Sequence, residues 1–338
     1  MKRYLICILL CCCLIFHKSN LVSSVNDSSY ILMDAESGRV LYEKNQDKRY
    51  LTASIAKIMT CIVAIEYGSL FSRYKVDYAS TMTEGSSIYL KEDDEIYLYD
   101  LLCGLMLRSG NDAATLISKS VFNNVDKFVL HMNIMAKKIG MGNSTFQNPT
   151  GLNKDSFNYS TAYDMALLMR YAMNNEIFTD IATKKKHNAE TLYYKYYWNN
   201  KHKLITTTDY VIAGKTGYTK DSGRTLVSYA IVGDMKLIAV SFNENNHYEL
   251  HKSLFEKSKI DFTKQKVLDN GVYHQELNVL NYYPMVREEV ILYIKKGSDI
   301  YIKFNLENVP NETCGFFEIY EDNKLIYVDD LYPYYPKS

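Results

Sequence analysis

The apolar positions of this chain change rhythm twice. Tyr30-Ile31-Leu32-Met33 and Arg39-Val40-Leu41-Tyr42 flank the turn formers Asp34-Ala35-Glu36-Ser37-Gly38, which predicts a β-hairpin. From Ser54 the period becomes helical. Ile55, Ile58, Met59, Ile62 and Ile65 recur at three- and four-residue intervals, and Ala53, Ala56, Cys61, Val63 and Ala64 leave few polar positions before Glu66. A helix apolar nearly all round is a buried one. Ser54 therefore stands at its N-terminus, where serine is a favoured cap, and Lys57 lies one turn further on the same face. Helical patterning resumes over residues 99–107 and 111–117, with Arg108-Ser109-Gly110 as the break, so Ser109 and Asn111 fall on an interhelical turn. After the loop 146–152 a further helix spans 161–170, with Ser160 or Thr161 as its cap and Asp164 in its first turn.

Beyond a tyrosine- and lysine-rich stretch (184–203) the rhythm becomes that of a strand meander over 210–216, 225–232 and 235–242, with Gly233-Asp234 as a hairpin turn. A closing helix is predicted over 248–262. From about Lys266 the helical period is lost and short alternating runs continue to the end, which predicts a small all-β domain. At the other end Lys2 and Arg3 precede an apolar run, 4–16, and the small residues Val22-Ser23-Ser24. This is the pattern of a secretory signal over residues 1–24. The run is short against the ~20 residues of a membrane span, so a retained anchor is the alternative. Either way the body works outside the cytoplasm, and membrane contact is expected only if this segment is kept.

Composition narrows the partners. The 338 residues, 47% hydrophobic and 23% charged, suit a globular chain of roughly two domains. With 39 basic and 39 acidic side chains there is no overall field to attract a polyanion, so nucleic acid is not an expected partner. Past residue 24 only Cys61, Cys103 and Cys314 remain, widely spaced, which predicts neither a disulfide framework nor a metal site; no cofactor is expected.

Three strings carry chemistry: Ser54-Ile55-Ala56-Lys57, Ser109-Gly110-Asn111 and Lys215-Thr216-Gly217. In this order they supply a hydroxyl nucleophile, an amine base, a second hydroxyl and amide, and a cationic strand end, the needs of an acyl-transferring serine enzyme. Each has a plainer reading. Ser54 alone is an N-cap, Ser109 and Asn111 satisfy a turn, and Gly217 marks a strand end or bulge. Lys57 tells against the first, because a lysine among buried positions needs a partner or a purpose. Ser72-Arg73-Tyr74-Lys75 repeats the first spacing without a buried helix behind it and is set aside.

With Thr52-Ala53-Ser54-Ile55-Ala56-Lys57-Ile58-Met59-Thr60, the stretch from Asp100 through Ser109-Gly110-Asn111-Asp112-Ala113-Ala114, Asn148-Pro149-Thr150-Gly151-Leu152 and Gly214-Lys215-Thr216-Gly217-Tyr218-Thr219, the chain from about Tyr30 to Phe262 resembles D-alanyl-D-alanine carboxypeptidases, low-molecular-mass penicillin-binding proteins of the serine peptidase type. The resemblance implies an α+β fold: a transpeptidase/β-lactamase-like catalytic domain over 25–265, with an antiparallel sheet flanked by helices and a helical subdomain, then the small β-rich domain over 266–338. It implies Ser54 as acylated nucleophile, Lys57 as base, Ser109 as proton relay and Asn111 as holder of the substrate amide. Lys215 and Thr216 would read a terminal carboxylate beside Gly217, and the N–H groups of Ser54 and Tyr218 would form the oxyanion hole. The implied partners are the peptidoglycan pentapeptide and β-lactam antibiotics.

Two departures stand out. The arginine that relatives place near the start of the closing helix corresponds here to Leu250, with only His247 and His251 nearby, and the tail 331–338 is unsuited to the amphipathic helix many relatives carry. A class A β-lactamase would need an E-x-x-L-N string between Asn111 and Lys215, which is absent. A DD-endopeptidase would use the same residues, and a non-enzymatic wall-binding protein would keep them only as scaffold.

Overall fold

The structure, a computed structural model, describes residues 27–273, 282–307 and 310–336. The expected leader, 1–24, lies outside the described residues. Strands β1 (Ser29–Asp34) and β2 (Val40–Lys44) form the expected hairpin. A second hairpin, β3 (Lys186–Glu190) and β4 (Lys195–Asn199), rises from the tyrosine-rich stretch, for which no strand is predicted from the sequence. There Tyr196 and Trp198 are buried while Lys195, Tyr197 and Asn199 are exposed, an alternation masked in the sequence because aromatic residues occupy both faces. The meander follows as β5 (Val211–Thr219), β6 (Gly223–Val232) and β7 (Met235–Phe242).

The five strands of the main sheet run antiparallel in the order β2-β1-β7-β6-β5, which makes β5 an outer strand. Both faces are covered. Ile31, Met33, Val227, Tyr229, Ile238 and Val240 point into a large helical core, while Leu32, Ala230, Leu237 and Ala239 pack with Leu254 and Phe255. Burial on two faces explains why these strands read as continuous apolar runs and not as alternating ones. The second face is covered by helix His247–Asp261, close to the expected closing helix.

The helical body centres on α1 (Lys57–Tyr67), whose residues from Lys57 to Ile65 are all buried. Around it lie α2 (Leu98–Arg108), α3 (Asn111–Phe122), α4 (Val125–Ile139) and α5 (Ala162–Met173). Thr161 caps α5, its hydroxyl accepting from Asp164 N at 3.0 Å, while the Asp164 carboxylate accepts from Asn143 N and Ser144 Oγ. Asp164 thus lies in the first turn, as expected, and braces the loop before the helix.

The C-terminal region is all-β. Phe262–Leu268 pairs with Val290–Lys295, and Ile300–Leu306, Gly315–Glu321 and Lys324–Tyr334 form a meander around Leu292, Ile294, Phe317, Ile319 and Leu331. The division expected at 265/266 falls inside the strand Phe262–Leu268. The two regions are tied together by Arg39, on the β1–β2 connection. Its buried guanidinium donates to Tyr293 O and pairs with Glu321 at 2.5 Å.

Candidate active site

Ser54 does not cap a helix. It lies in a single 3-10 turn, Ala53–Ala56, that runs directly into α1, and neither Thr52 nor Ala56 makes a side-chain cap. The tighter winding has a chemical consequence, because residues i and i+3 of a 3-10 turn eclipse each other. Lys57 Nζ is thereby brought 3.1 Å from Ser54 Oγ. Ala53, just before the serine, is held in the left-handed region at φ +47.

Lys57 is 0% exposed, and its three neighbours define what its nitrogen can be. Besides Ser54 Oγ they are Asn111 Oδ1 at 2.7 Å and the backbone oxygen of Thr150. A carbonyl oxygen only accepts, whereas a hydroxyl both donates and accepts. An ammonium can donate to all three, whereas a neutral amine, with two N–H donors and one lone pair, can donate to Asn111 and Thr150 and accept from the serine; burial decides between them. Burial pushes the Lys57 pKa well below its ordinary value, and the cations Lys215 and Lys201 add to this, against an opposing pull from Asp112.

The Thr150 oxygen is presented by a self-braced loop. Asn148 Oδ1 accepts from Thr150 N (3.1 Å) and Gly151 N (2.7 Å), its Nδ2 donates to Leu152 O, and Thr60 Oγ1 donates to Pro149 O. Gly151 has φ +78, and a Cβ there would stand 1.9 Å from Ala53 O, so only glycine lets this loop lie against the serine turn.

Ser109 and Asn111 sit where α2 gives way to α3, as expected from the break in the pattern. Ser109 adopts φ +65 at the end of α2 and lines the cleft with Ser54, while its buried Oγ has no hydrogen-bond partner. Asn111 follows directly. It opens α3, is buried, and uses both ends of its amide: Oδ1 accepts from Lys57, and Nδ2 donates to Glu84 O at 2.6 Å. Beside it Asp112 accepts from Ile88 N, Leu90 N and Ser87 Oγ, which pins the loop forming one rim of the cleft.

The opposite wall is strand β5. Lys215 is 2% exposed, its Nζ donating to Thr216 O at 3.0 Å. Burial, with Lys201 nearby, pushes its pKa down to about 7. Thr216, Gly217 and the exposed Tyr218 line the cleft. The absence of a side chain at Gly217 has a packing cause: a Cβ would meet Thr225 Oγ1 at 2.3 Å and Ser54 N at 2.9 Å. Thr225 in turn donates to Thr52 O, which fastens the sheet to the serine turn.

The cleft, of roughly 430 Å³, is also lined by Ser86, Lys201, Arg224, His247 and Tyr248, none singled out from the sequence as site residues. Lys201 follows the β3–β4 hairpin and reaches Ser86 Oγ at 3.3 Å. Arg224 is paired with Tyr218 across β5 and β6, its guanidinium 5.6 Å above that ring's centre. No aspartate or glutamate is among the lining residues, so the charges of Lys201 and Arg224 are unopposed within the lining. Leu250 is absent from this lining and packs with the core on the far face of the sheet, and His251 is buried between Ser228 and Ser241. Only the register of β6 against β5 reveals Arg224; no local motif announces it. Among the described residues no group of three or more His, Cys, Asp or Glu is arranged for a metal ion, and no helix is long and apolar enough to cross a membrane.

The family described as D-alanyl-D-alanine carboxypeptidase matches residues 17–246. The chain is 31% identical over 258 residues to D-alanyl-D-alanine carboxypeptidase DacF of Bacillus subtilis, a match covering 74% of this chain and 65% of that protein. It is 34% identical over 232 residues to DacC of Escherichia coli, covering 64% and 56% respectively. The matched region is thus less than two thirds of either relative. Penicillin binding protein 5 from Haemophilus influenzae has the same fold, with a TM-score of 0.75 at 24% identity over 91% of this chain and 96% of that one.

Proposed function

The chain belongs to the D-alanyl-D-alanine carboxypeptidase family, and from that premise we propose that it removes the terminal D-alanine from peptidoglycan stem peptides through an acyl-enzyme on Ser54, outside the cytoplasm. One observation carries the reading: a fully buried lysine amine, disfavoured as an ammonium, lies 3.1 Å from a serine hydroxyl at the floor of a cationic cleft.

In this mechanism neutral Lys57 takes the proton of Ser54 as Oγ attacks the carbonyl of the penultimate D-alanine. The N–H groups of Ser54 and Tyr218 stabilise the oxyanion. When the C–N bond breaks, the proton that Lys57 took is relayed through Ser109 to the departing amine, which leaves Lys57 neutral again; free D-alanine leaves, and the shortened peptide remains as an ester on Ser54. Water then attacks the ester, giving a proton to Lys57, which returns it to Ser54 Oγ as the ester C–O bond breaks, and the peptide departs with a new carboxylate. Asn111, buried and occupied on both sides, holds Lys57 in line and is a positioning residue in this scheme. Lys215 and Thr216 read the substrate carboxylate, and the cations Lys201 and Arg224 that line the same cleft support them in place of an arginine at position 250.

β-Lactam antibiotics would acylate the same serine. Incubation with a labelled penicillin and with a D-Ala-D-Ala peptide tests the proposal: a mass adduct and released D-alanine are expected from the parent protein and neither from Ser54→Ala. A parent protein that gives neither product refutes it, and rapid turnover of penicillin without peptide cleavage would make it a β-lactamase.

A further inference from the structure

His247 opens the helix His247–Asp261 and lines the cleft together with Thr216, Gly217, Tyr218 and Arg224. Its ring is fixed from two sides. Nδ1 lies 3.2 Å from Asn245 O, and the ring rests on that of Tyr248, their centres 4.3 Å apart. The loop that supplies Asn245 hangs from β6, where Glu244 N donates to Arg224 O at 3.3 Å, and Arg224 stands opposite Tyr218 of β5. A chain of contacts thus ties His247 to the strand that carries Lys215 and Thr216.

The contact with Asn245 decides what the other nitrogen can do. A carbonyl only accepts, so Nδ1 carries a proton and, in the neutral ring, Nε2 is a bare lone pair that repels a carboxylate. In the imidazolium Nε2 is an N–H donor that binds one. Nε2 has no partner among the described residues and is not sealed from solvent. The surroundings disfavour the imidazolium until an anion arrives. Burial holds the His247 pKa below its ordinary value and Arg224 pushes it further down, against the pull of Asn245 O and of the carbonyl and carboxylate of Glu244. The N-terminal end of a helix disfavours a cation in the same sense. The other histidines of this region are enclosed: His202 by Val227 O and Ser228 Oγ, His251 by Ser228 Oγ and Ser241 Oγ, and burial keeps both neutral. Lys201 is the remaining cation of the lining.

We infer that His247 grips the terminal carboxylate of the substrate as an imidazolium, taking up its proton from solvent as the peptide binds. The inference rests on the carboxypeptidase reading above. It makes affinity proton-linked. The bound carboxylate favours the charged ring, so the His247 pKa is higher in the complex than in the free protein, and affinity rises as pH falls through the interval between the two values. Below that interval the ring is charged in both states and the gain is complete.

The test uses Ser54→Ala, which binds without cleaving, and two Nα-acetylated D-Ala-D-Ala peptides, one ending in a carboxylate and the other in a carboxamide. Calorimetric titration at about pH 6 in buffers of different ionisation enthalpy counts the protons taken up. Lys215, with its pKa of about 7, is already mostly charged there and adds little. The carboxylate peptide should bind with proton uptake and the carboxamide without it. Adding His247→Gln should remove the uptake and raise Kd for the carboxylate peptide roughly fivefold at this pH. His247→Arg, charged throughout, should restore affinity without uptake. Binding of the carboxylate peptide with no uptake, equal uptake with both peptides, or uptake that survives His247→Gln overturns the inference. The first two outcomes need no change at His247, so a misfolded variant does not shield it. D-alanine release by the parent protein without uptake in Ser54→Ala strikes His247 alone. Uptake in Ser54→Ala with no release by the parent strikes the carboxypeptidase reading and leaves the carboxylate site standing.

Discussion

Lys215 carries a charge on a buried strand end, and the cost of holding it there has a definite sign. Its pKa is about 7 in the folded chain against an ordinary 10.5, so between those values the unfolded chain binds the extra proton. Stability should therefore rise with pH from about 7 upward, with this one group giving at most ~1.4 kcal/mol per pH unit; below about pH 7 both states are charged and the full penalty is present. Lys215→Met should raise the urea midpoint at pH 7, flatten its pH dependence between 7 and 9, and abolish D-alanine release; an unchanged midpoint would contradict a buried charge. Lys57 shifts in the same direction, chiefly through burial and further through the charge of Lys215. Acylation by penicillin should accordingly gain rate on its acid-side limb well below pH 10.5, and a limb surviving in Lys57→Ala would remove Lys57 as base. The residues on which this chemistry rests were legible in the sequence because each belongs to a short string and one string lies on an unmistakably buried helix. Arg224 and Lys201 were not, since strand register and a hairpin's end bring them to the cleft from unremarkable surroundings.

Among the elements, the loop from Ser86 to Leu90 depends most on a single side chain. Asp112, in the first turn of α3, satisfies two buried N–H groups and a hydroxyl of this loop. Asp112→Ala would strand those donors, at a cost of roughly 2–4 kcal/mol in folding stability. A lowered urea midpoint and a several-fold higher KM should appear together, because this loop forms the cleft rim. A lowered midpoint with unchanged KM would show that the rim tolerates movement. Helices α1, α2, α3 and α5 and the meander were readable from period, whereas α4 (Val125–Ile139) was not among the predicted elements. The 3-10 winding at Ser54 was not, because 3-10 and α turns share the same apolar spacing over four residues and differ only in how tightly they close. Nor was the β3–β4 hairpin, whose tyrosines and lysines give periodicity little to act on.

At the scale of the molecule, the catalytic region and the C-terminal β region meet through Arg39, whose guanidinium is nearly inaccessible and whose partner Glu321 is 13% exposed. Removing one member of such a pair leaves the other uncompensated, a loss of about 3 kcal/mol. Arg39→Ala should split thermal unfolding into two transitions and expose the junction near Asp261 to proteolysis, while penicillin labelling of Ser54 keeps its rate; one cooperative transition at the parental temperature would refute the latch. Ser109 has a consequence of another kind. A left-handed backbone and an unpartnered hydroxyl make it a poor choice for the fold by itself, and glycine would relieve both. In a library scanned only for cellular abundance, Ser109→Gly should outlast the parent. A descendant relieved of the proposed D-alanine release would then drift toward glycine at this position, leaving the loss of function written as a gain in robustness.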